Sequence, residues 1–288
     1  PVMSIEARTL LDRTDRNREA TKFLVVPQVL ATAIVVGVIV GLVATWWIGL
    51  VAGVLSGVIV AVILPKSAPA GLATVFAARP APEPEFPRYH NLMEGLSISS
   101  GSVMPTLQVI DEARPNLAVY GPPDEGVVIA TTGLLEQLDR VELEGVLAEA
   151  LVRLRSHDAE LGAQAAMLVC GPLVRNGPRR PGRPMGYVAF LAGWRAGRLR
   201  RVLGDQREFL SDLGAIDMTR YPPGLGSALE KMEALGTGVE SATWGTAHLW
   251  LADPLVEAAD TDTTAYQLSA LFGGGAPIDQ RASLMAEL

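Results

Sequence analysis

Residues 23–65 read FLVVPQVLATAIVVGVIVGLVATWWIGLVAGVLSGVIVAVILP and carry no charged side chain. As one helix these 43 positions would reach about 65 Å, twice the roughly 30 Å hydrocarbon core of a bilayer. The stretch is therefore expected to be two membrane spans, at about 23–44 and 48–65. Thr45-Trp46-Trp47-Ile48-Gly49 breaks it near the middle, and paired tryptophans suit the headgroup level. Gly37 and Gly41, then Gly49, Gly53 and Gly57, recur at spacing four, which lets helix backbones approach closely in lipid. They serve either packing within the hairpin or a face for a partner helix. Pro27 falls early in the first span, where a missing N–H is tolerated. A cleaved signal peptide fits less well, because a second span follows at once with no clear cleavage site.

Arg8, Arg13, Arg16, Arg18 and Lys22 precede the first span, and Lys66, Arg79 and Arg88 follow the second. The turn has no charge, so both termini are expected in the cytoplasm. The whole chain has 288 residues, a net charge of −7 and 19% charged residues. Its single cysteine, Cys170, excludes an intrachain disulfide and a cysteine-built zinc cluster. The acidic balance argues against a nucleic-acid partner. The expected divisions are a cytoplasmic segment at 1–22, the hairpin at 23–65, a Pro/Ala-rich linker at 66–87, within which a short helix at 71–78 stays open, and a domain at 88–288.

The domain reads as α+β. His90–Ser97 ends a short helix. A strand is expected at 105–110 from its alternating apolar positions, two more at 117–120 and 126–131, and a short helix from Thr132. Asp139 with Glu142 forms a capping-box pattern for a long helix over about 140–166.

This order resembles the membrane-anchored zinc metallopeptidases of the HtpX type. Pro115-Asn-Leu-Ala-Val-Tyr-Gly121 is similar to the family's Asn-Ala strand, and Val128–Leu135 to its next strand and helix start. Glu142–Ala148 resembles the entry to its zinc helix. Arg207–Asp212 resembles the helix that supplies its third ligand, followed by Tyr221-Pro222 and Leu225–Met232. Ala276–Arg281 is similar to its C-terminal His-Pro-Pro-x-x-x-Arg element. The resemblance implies a transmembrane hairpin followed by a cytoplasmic gluzincin-type domain in the inner (plasma) membrane.

At the positions that carry the family's chemistry this chain departs from it. A His-Glu-x-x-His helix places two zinc ligands on one face and a general base between them. Here the register gives Glu149-Ala150-Leu151-Val152-Arg153. Glu149 and Arg153 stand at the two histidines, Ala150 at the base, and Ala276 at the later histidine, while Glu208 keeps the third-ligand position. No His-Glu pair occurs anywhere in the chain. His157 and Asp158 are adjacent and diverge on a helix, so they do not replace the site, and no serine or cysteine nucleophile motif is present. No catalytic residue, metal or cofactor is therefore expected. Glu149 and Arg153 at i,i+4, with Glu208 opposite, are expected to form an ion-pair cluster where the metal would lie.

Residues 161–204 contain eight arginines and no acid. Apolar runs at 165–174 and 186–194 are too short to span a bilayer. Arg175, Arg179, Arg180, Arg183, Arg195, Arg198, Arg200 and Arg201, with Tyr187, Phe190 and Trp194, are expected to contact anionic lipid at the membrane surface. The alternative is a solvated basic loop beside a buried hairpin. The expected function is that of a non-catalytic pseudopeptidase, a scaffold or accessory subunit for other membrane proteins. An active peptidase of protein quality control with an aberrant site, and a peptide-holding module using the 116–120 strand as its edge, stay open.

Overall fold

A computed structural model describes residues 5–76, 78–170, 197, 199, 201–204, 207–255 and 276–287. The apolar stretch forms α1 (Ile5–Val43) and α2 (Trp46–Phe76), with the chain reversing at Ala44 and Thr45. Asp12–Val43 and Trp46–Ile63 are long and apolar enough to cross a bilayer. The small residues lie where the two backbones meet. A Cβ on Gly49 would stand 2.4 Å from the Gly37 carbonyl oxygen and 2.6 Å from Gly41 Cα. One on Gly53 would stand 2.6 Å from the Ala33 oxygen, and one on Gly57 3.2 Å from Ala33 Cβ. All five glycines thus have partner-helix atoms close by, while Leu30, Ile34, Leu50 and Val54 are exposed and suited to lipid. Gly49→Leu is expected to force the helices apart and destabilise the protein in detergent by about 1–3 kcal/mol, the usual cost of overpacking. Leu50→Ala, on the exposed side, is expected to leave the unfolding midpoint unchanged.

Both helices continue beyond the apolar stretch and pack onto the domain. In α1, Asn17 is buried and donates from Nδ2 to the Ser156 carbonyl at 2.8 Å. Arg18 donates to His157 Nε2 at 3.2 Å, and His157 Nδ1 lies 2.7 Å from Glu160. In α2, Ala68, Leu72 and Phe76 are buried at spacing four, one helical face. The linker reading of residues 66–87 is corrected over its first half. Burial of that face holds a Pro/Ala-rich stretch in helix, where composition alone favours a flexible spacer.

β1 (Arg79–Pro80), β2 (Thr106–Ile110), β3 (Leu117–Tyr120) and β4 (Val127–Thr131) form a sheet in the order β1-β2-β4-β3. β2 and β4 are parallel, and the β1–β2 and β3–β4 pairs are antiparallel. The period-two alternation divides the sheet between two cores. Leu107, Val109, Leu117, Val119, Val128 and Ala130 join the core formed with α3 (Pro87–Ser100) and α5 (Arg140–Arg155). Ala118, Tyr120 and Ile129 join the other core, with Leu72 and Phe76 of α2 and Leu161. The hairpin extensions therefore form one wall of the domain.

After α4 (Thr132–Gln137), Asp139 caps α5. Its side chain accepts from Val141 and Glu142 nitrogens, and Glu142 reaches back to the Asp139 nitrogen at 2.8 Å. The expected single helix over 140–166 is broken. His157 takes a left-handed conformation with φ of 59°, and α6 (Asp158–Ala165) starts anew, followed by a π-helical turn over Ala166–Cys170. α7 (Arg207–Thr219), α8 (Pro222–Leu235) and α9 (Ile278–Ala286) follow, and Ala247–Leu249 forms a 3-10 turn.

The membrane-surface reading of 161–204 is corrected for its first ten residues. Leu161, Ala163, Ala165, Ala166, Val169 and Cys170 are buried inside the domain, because α6 packs between the sheet and the hairpin extensions. Arg201 is exposed. Arg175, Arg179, Arg180, Arg183, Tyr187, Phe190, Trp194, Arg195, Arg198 and Arg200 lie outside the described residues.

Candidate functional site

α5 carries Glu149, Ala150 and Arg153 into the interior, where they are 1%, 0% and 2% exposed. α7 brings Arg207, Glu208 and Asp212 to the same region. Gly214 permits this approach, since a Cβ there would sit 2.7 Å from Val152 Cγ1. Helices α5 and α7 thus bring together, from two sides, the residues that the sequence resemblance sets at ligand positions.

The polar partners differ from those expected. Arg153 pairs with Asp158, Nε to Oδ2 at 3.3 Å, and donates from Nη1 to the Leu249 carbonyl and from Nη2 to the His248 carbonyl. Arg207 lies between Glu208, at 3.2 Å, and Asp158, at 3.8 Å, and also donates to the His248 carbonyl. Arg281 of α9 makes a two-pronged bond to Asp212 at 2.7 and 2.8 Å and donates to the Leu251 carbonyl. Arg13 of α1 reaches in from the hairpin and donates to the Leu210 carbonyl and to Ser211 Oγ.

The expected cluster of Glu149, Arg153 and Glu208 is therefore corrected. Among the described residues Glu149 makes no ion pair and its Oε2 accepts no hydrogen bond. The left-handed turn at His157 returns Asp158 to Arg153, and Glu208 has Arg207 beside it in sequence. Burial pushes the Glu149 carboxyl up to about 7, and the positive charges of Arg153 and Arg281 offset only part of that. Burial would also raise Asp158, but Arg207, Arg153 and Arg13 outweigh it and hold that carboxyl below its ordinary value. His248 is pushed down to about 3 by burial and then by Arg207, so it is neutral and donates from Nε2 to the Gly162 carbonyl.

A cleft of about 320 Å3 borders this cluster. Glu208, His248, Trp250, Asp253, Ala276 and Arg281 are among its lining residues, so the Ala276 position faces the same space as Glu208. Beside it the edge of β3 is occupied. Ala118 pairs antiparallel with Trp250, and the Leu251 N–H donates to the Leu117 carbonyl at 2.7 Å. The expectation that the 116–120 strand offers a free edge is corrected, because the chain's own residues fill that position.

These residues do not fit a zinc ion. A guanidinium has only donors, and the Arg153 group is spent on Asp158 and two carbonyls. Glu208 is paired with Arg207. Among the described residues, no three His, Cys, Asp or Glu side chains are grouped to hold a metal. Ala150 offers no base.

Sequence reasoning did not assign site roles to Arg207, Asp212, Arg281, His248 or Arg13. The first three lie in the quoted motifs, and their hydrophilic character on buried helices was the available signal. Arg13 stood out only as one of several basic residues before the first span.

No family model matches the chain, and no solved structure matches it. Among curated proteins, the Protease HtpX homolog of Dictyoglomus thermophilum is 37% identical over 215 residues, which is 68% of this chain and 68% of the relative. That of Tropheryma whipplei strain Twist is 32% identical over 186 residues, covering 59% and 64%. That of Caldanaerobacter subterraneus subsp. tengcongensis is 27% identical over 239 residues, covering 75% and 76%. The two apolar helices, the α+β domain behind them and these relatives agree: the chain is a membrane-anchored member of the HtpX protease family.

Proposed function

We propose that the protein is a non-catalytic member of its family, a pseudopeptidase that acts as a scaffold or accessory subunit in a membrane protein complex. The observation that supports this reading is Arg153, buried at a ligand position and engaged with Asp158, in the turn after Ala150. Peptide hydrolysis by a zinc peptidase needs a bound water and a base to deprotonate it. An ion pair and a methyl group supply neither. The direct test is cleavage of fluorescein-labelled casein by the full chain in detergent, with and without added zinc. No cleavage above a protein-free control is expected. Zinc-dependent cleavage that disappears in Glu208→Gln would overturn the reading in favour of an active peptidase with an unusual site.

The same reading places the protein in the inner (plasma) membrane with both termini in the cytoplasm, on the strength of the basic flanks of the two apolar helices. Its partners are other membrane proteins, reached through the hairpin or the domain. Anionic lipid is the proposed contact of the basic 175–201 stretch. In proteoliposomes, trypsin is expected to cut at those arginines more slowly when the bilayer is anionic than when it is zwitterionic. Equal rates in the two bilayers would remove the lipid contact from the account.

A further inference from the structure

The break between α5 and α6 is where the cytoplasmic extension of α1 grips the domain. Ser156 closes α5, His157 takes the left-handed conformation with φ of 59°, and Asp158 opens α6. Carbonyls at a helix end lack partners within the helix. Asn17 of α1, itself buried, takes up that of Ser156, donating from Nδ2 at 2.8 Å. One turn earlier in α1, Arg13 donates to the Leu210 carbonyl and to Ser211 Oγ of α7. One residue after Asn17, Arg18 donates from Nη2 to His157 Nε2 at 3.2 Å. Asp158, next to His157, is turned to Arg153 at 3.3 Å and Arg207 at 3.8 Å. The membrane helix is thus fastened to the residues that lead directly into the substituted cluster.

The Arg18 contact fixes the protonation state of the imidazole. A guanidinium only donates, so Nε2 accepts and carries no proton, and the ring proton sits on Nδ1, which donates to Glu160 at 2.7 Å. A second proton would occupy Nε2, remove the acceptor and set two cations face to face. Arg18 from α1 opposes that proton, and Glu160 from α6 favours it. Both Glu160 oxygens are already engaged, one with His157 and the other with Gln164. Arg155, two residues back on α5, adds a positive charge, while the Asp158 charge is held inward by Arg153 and Arg207. We propose that His157 is a proton-operated latch between the hairpin and the domain. Neutral, it holds Arg18 and keeps the α1 extension seated on the break. Protonated, it keeps Glu160 and releases Arg18. Histidine ordinarily changes charge between about pH 5 and 8, so release belongs to mildly acidic conditions. Arg13 and Asn17 ride on the same helix, so loosening it carries to α7 and to the cluster.

Hydrogen exchange of the full chain in detergent, read by mass spectrometry at about pH 7.5 and about pH 5.5 and corrected for the intrinsic pH dependence of amide exchange, tests the latch. In the wild type, peptides covering residues 12–22 are expected to exchange about three- to tenfold faster in acid, as loss of one hydrogen bond allows, while β4 stays protected. His157→Asn keeps a side chain that tolerates the left-handed conformation and does not titrate. It is expected to show no acid response in 12–22. Arg18→Ala removes an exposed side chain from the surface of α1. It is expected to exchange at about pH 7.5 as fast as the wild type in acid, with no further change on acidification. If His157→Asn does not fold, the Arg18→Ala comparison decides alone. An unresponsive wild type, an equal acid response in either variant, or a rise shared with β4 would overturn the latch. Titration of buried Glu149 has the opposite sign, weakening the fold as pH rises, so it cannot imitate the expected result.

Discussion

Arg281→Ala is expected to destabilise the domain by about 3–5 kcal/mol, the cost of stripping one partner from a buried ion pair. The two side chains are 1% and 0% exposed, and both Asp212 oxygens accept from the same guanidinium. Without it a carboxylate is left in the interior with no counter-charge in contact. The Leu251 carbonyl loses a donor at the same time. A domain's whole stability is about 5–15 kcal/mol, so the variant should lose a large part of its cooperative unfolding transition. Urea denaturation in detergent, followed by circular dichroism, measures this. Arg79→Ala is the control. Arg79 also holds two carboxylates, Glu85 and Asp111, but all three groups are well exposed. Solvent screens that network, and little change in midpoint is expected. Equal losses in the two variants would show that burial is not what makes the Arg281 pair matter.

Glu149→Gln is expected to stabilise the protein, and to do so only at neutral and alkaline pH. The wild-type carboxyl titrates at about 7 in the folded chain against 4.5 ordinarily, because burial disfavours its charge. Below the ordinary value the group is neutral in both folded and unfolded chains. As pH rises from there to about 7, the unfolded chain releases its proton and the folded chain keeps it. Stability contributed by this group is therefore complete in acid and lost as pH rises through the folded value. The loss amounts to about 3 kcal/mol by pH 8. Glutamine cannot ionise, so the variant escapes that loss. The gain should be under about 1 kcal/mol at pH 5 and approach about 3 kcal/mol at pH 8. Asp158 has the opposite sign, its carboxyl lying below the ordinary value, so it weakens both proteins alike in acid and cancels from the difference. Thermal melts of both proteins across that range supply the measurement. A variant less stable than the wild type at pH 8 would mean that Glu149 is a working ion-pair partner after all.

The parts of the fold set by local pattern were legible in the sequence. The alternation in 106–110 and the short apolar runs at 117–120 and 127–131 mark the strands, and Asp139 with Glu142 marks the start of the site helix. The uncharged stretch at 23–65 was legible as two apolar helices long enough to cross a membrane. What could not be read depends on contacts between distant segments. Residues 66–76 look like a spacer until Ala68, Leu72 and Phe76 are seen buried on one face. The break at His157 has no proline or glycine to announce it. That break is also why the site reading failed in detail. Glu149 and Arg153 do stand at i,i+4 on the unbroken α5, but the left-handed residue at His157 turns Asp158 back to Arg153, and Arg153 pairs with Asp158 instead. Glu149, Ala150 and Arg153 are buried on α5, and Glu208 and Ala276 line one cleft. The partners that Arg153 and Glu208 take, Asp158 and Arg207, were not legible.

The central claim is that this site no longer serves a metal, and metal content tests it most directly. The full chain should be purified from membranes in detergent without chelator, and its zinc measured by elemental analysis before and after dialysis against added zinc. Zinc well below one ion per chain in both samples is predicted, with no change in Glu208→Gln. One tightly held zinc per chain that is lost in Glu208→Gln would contradict the account.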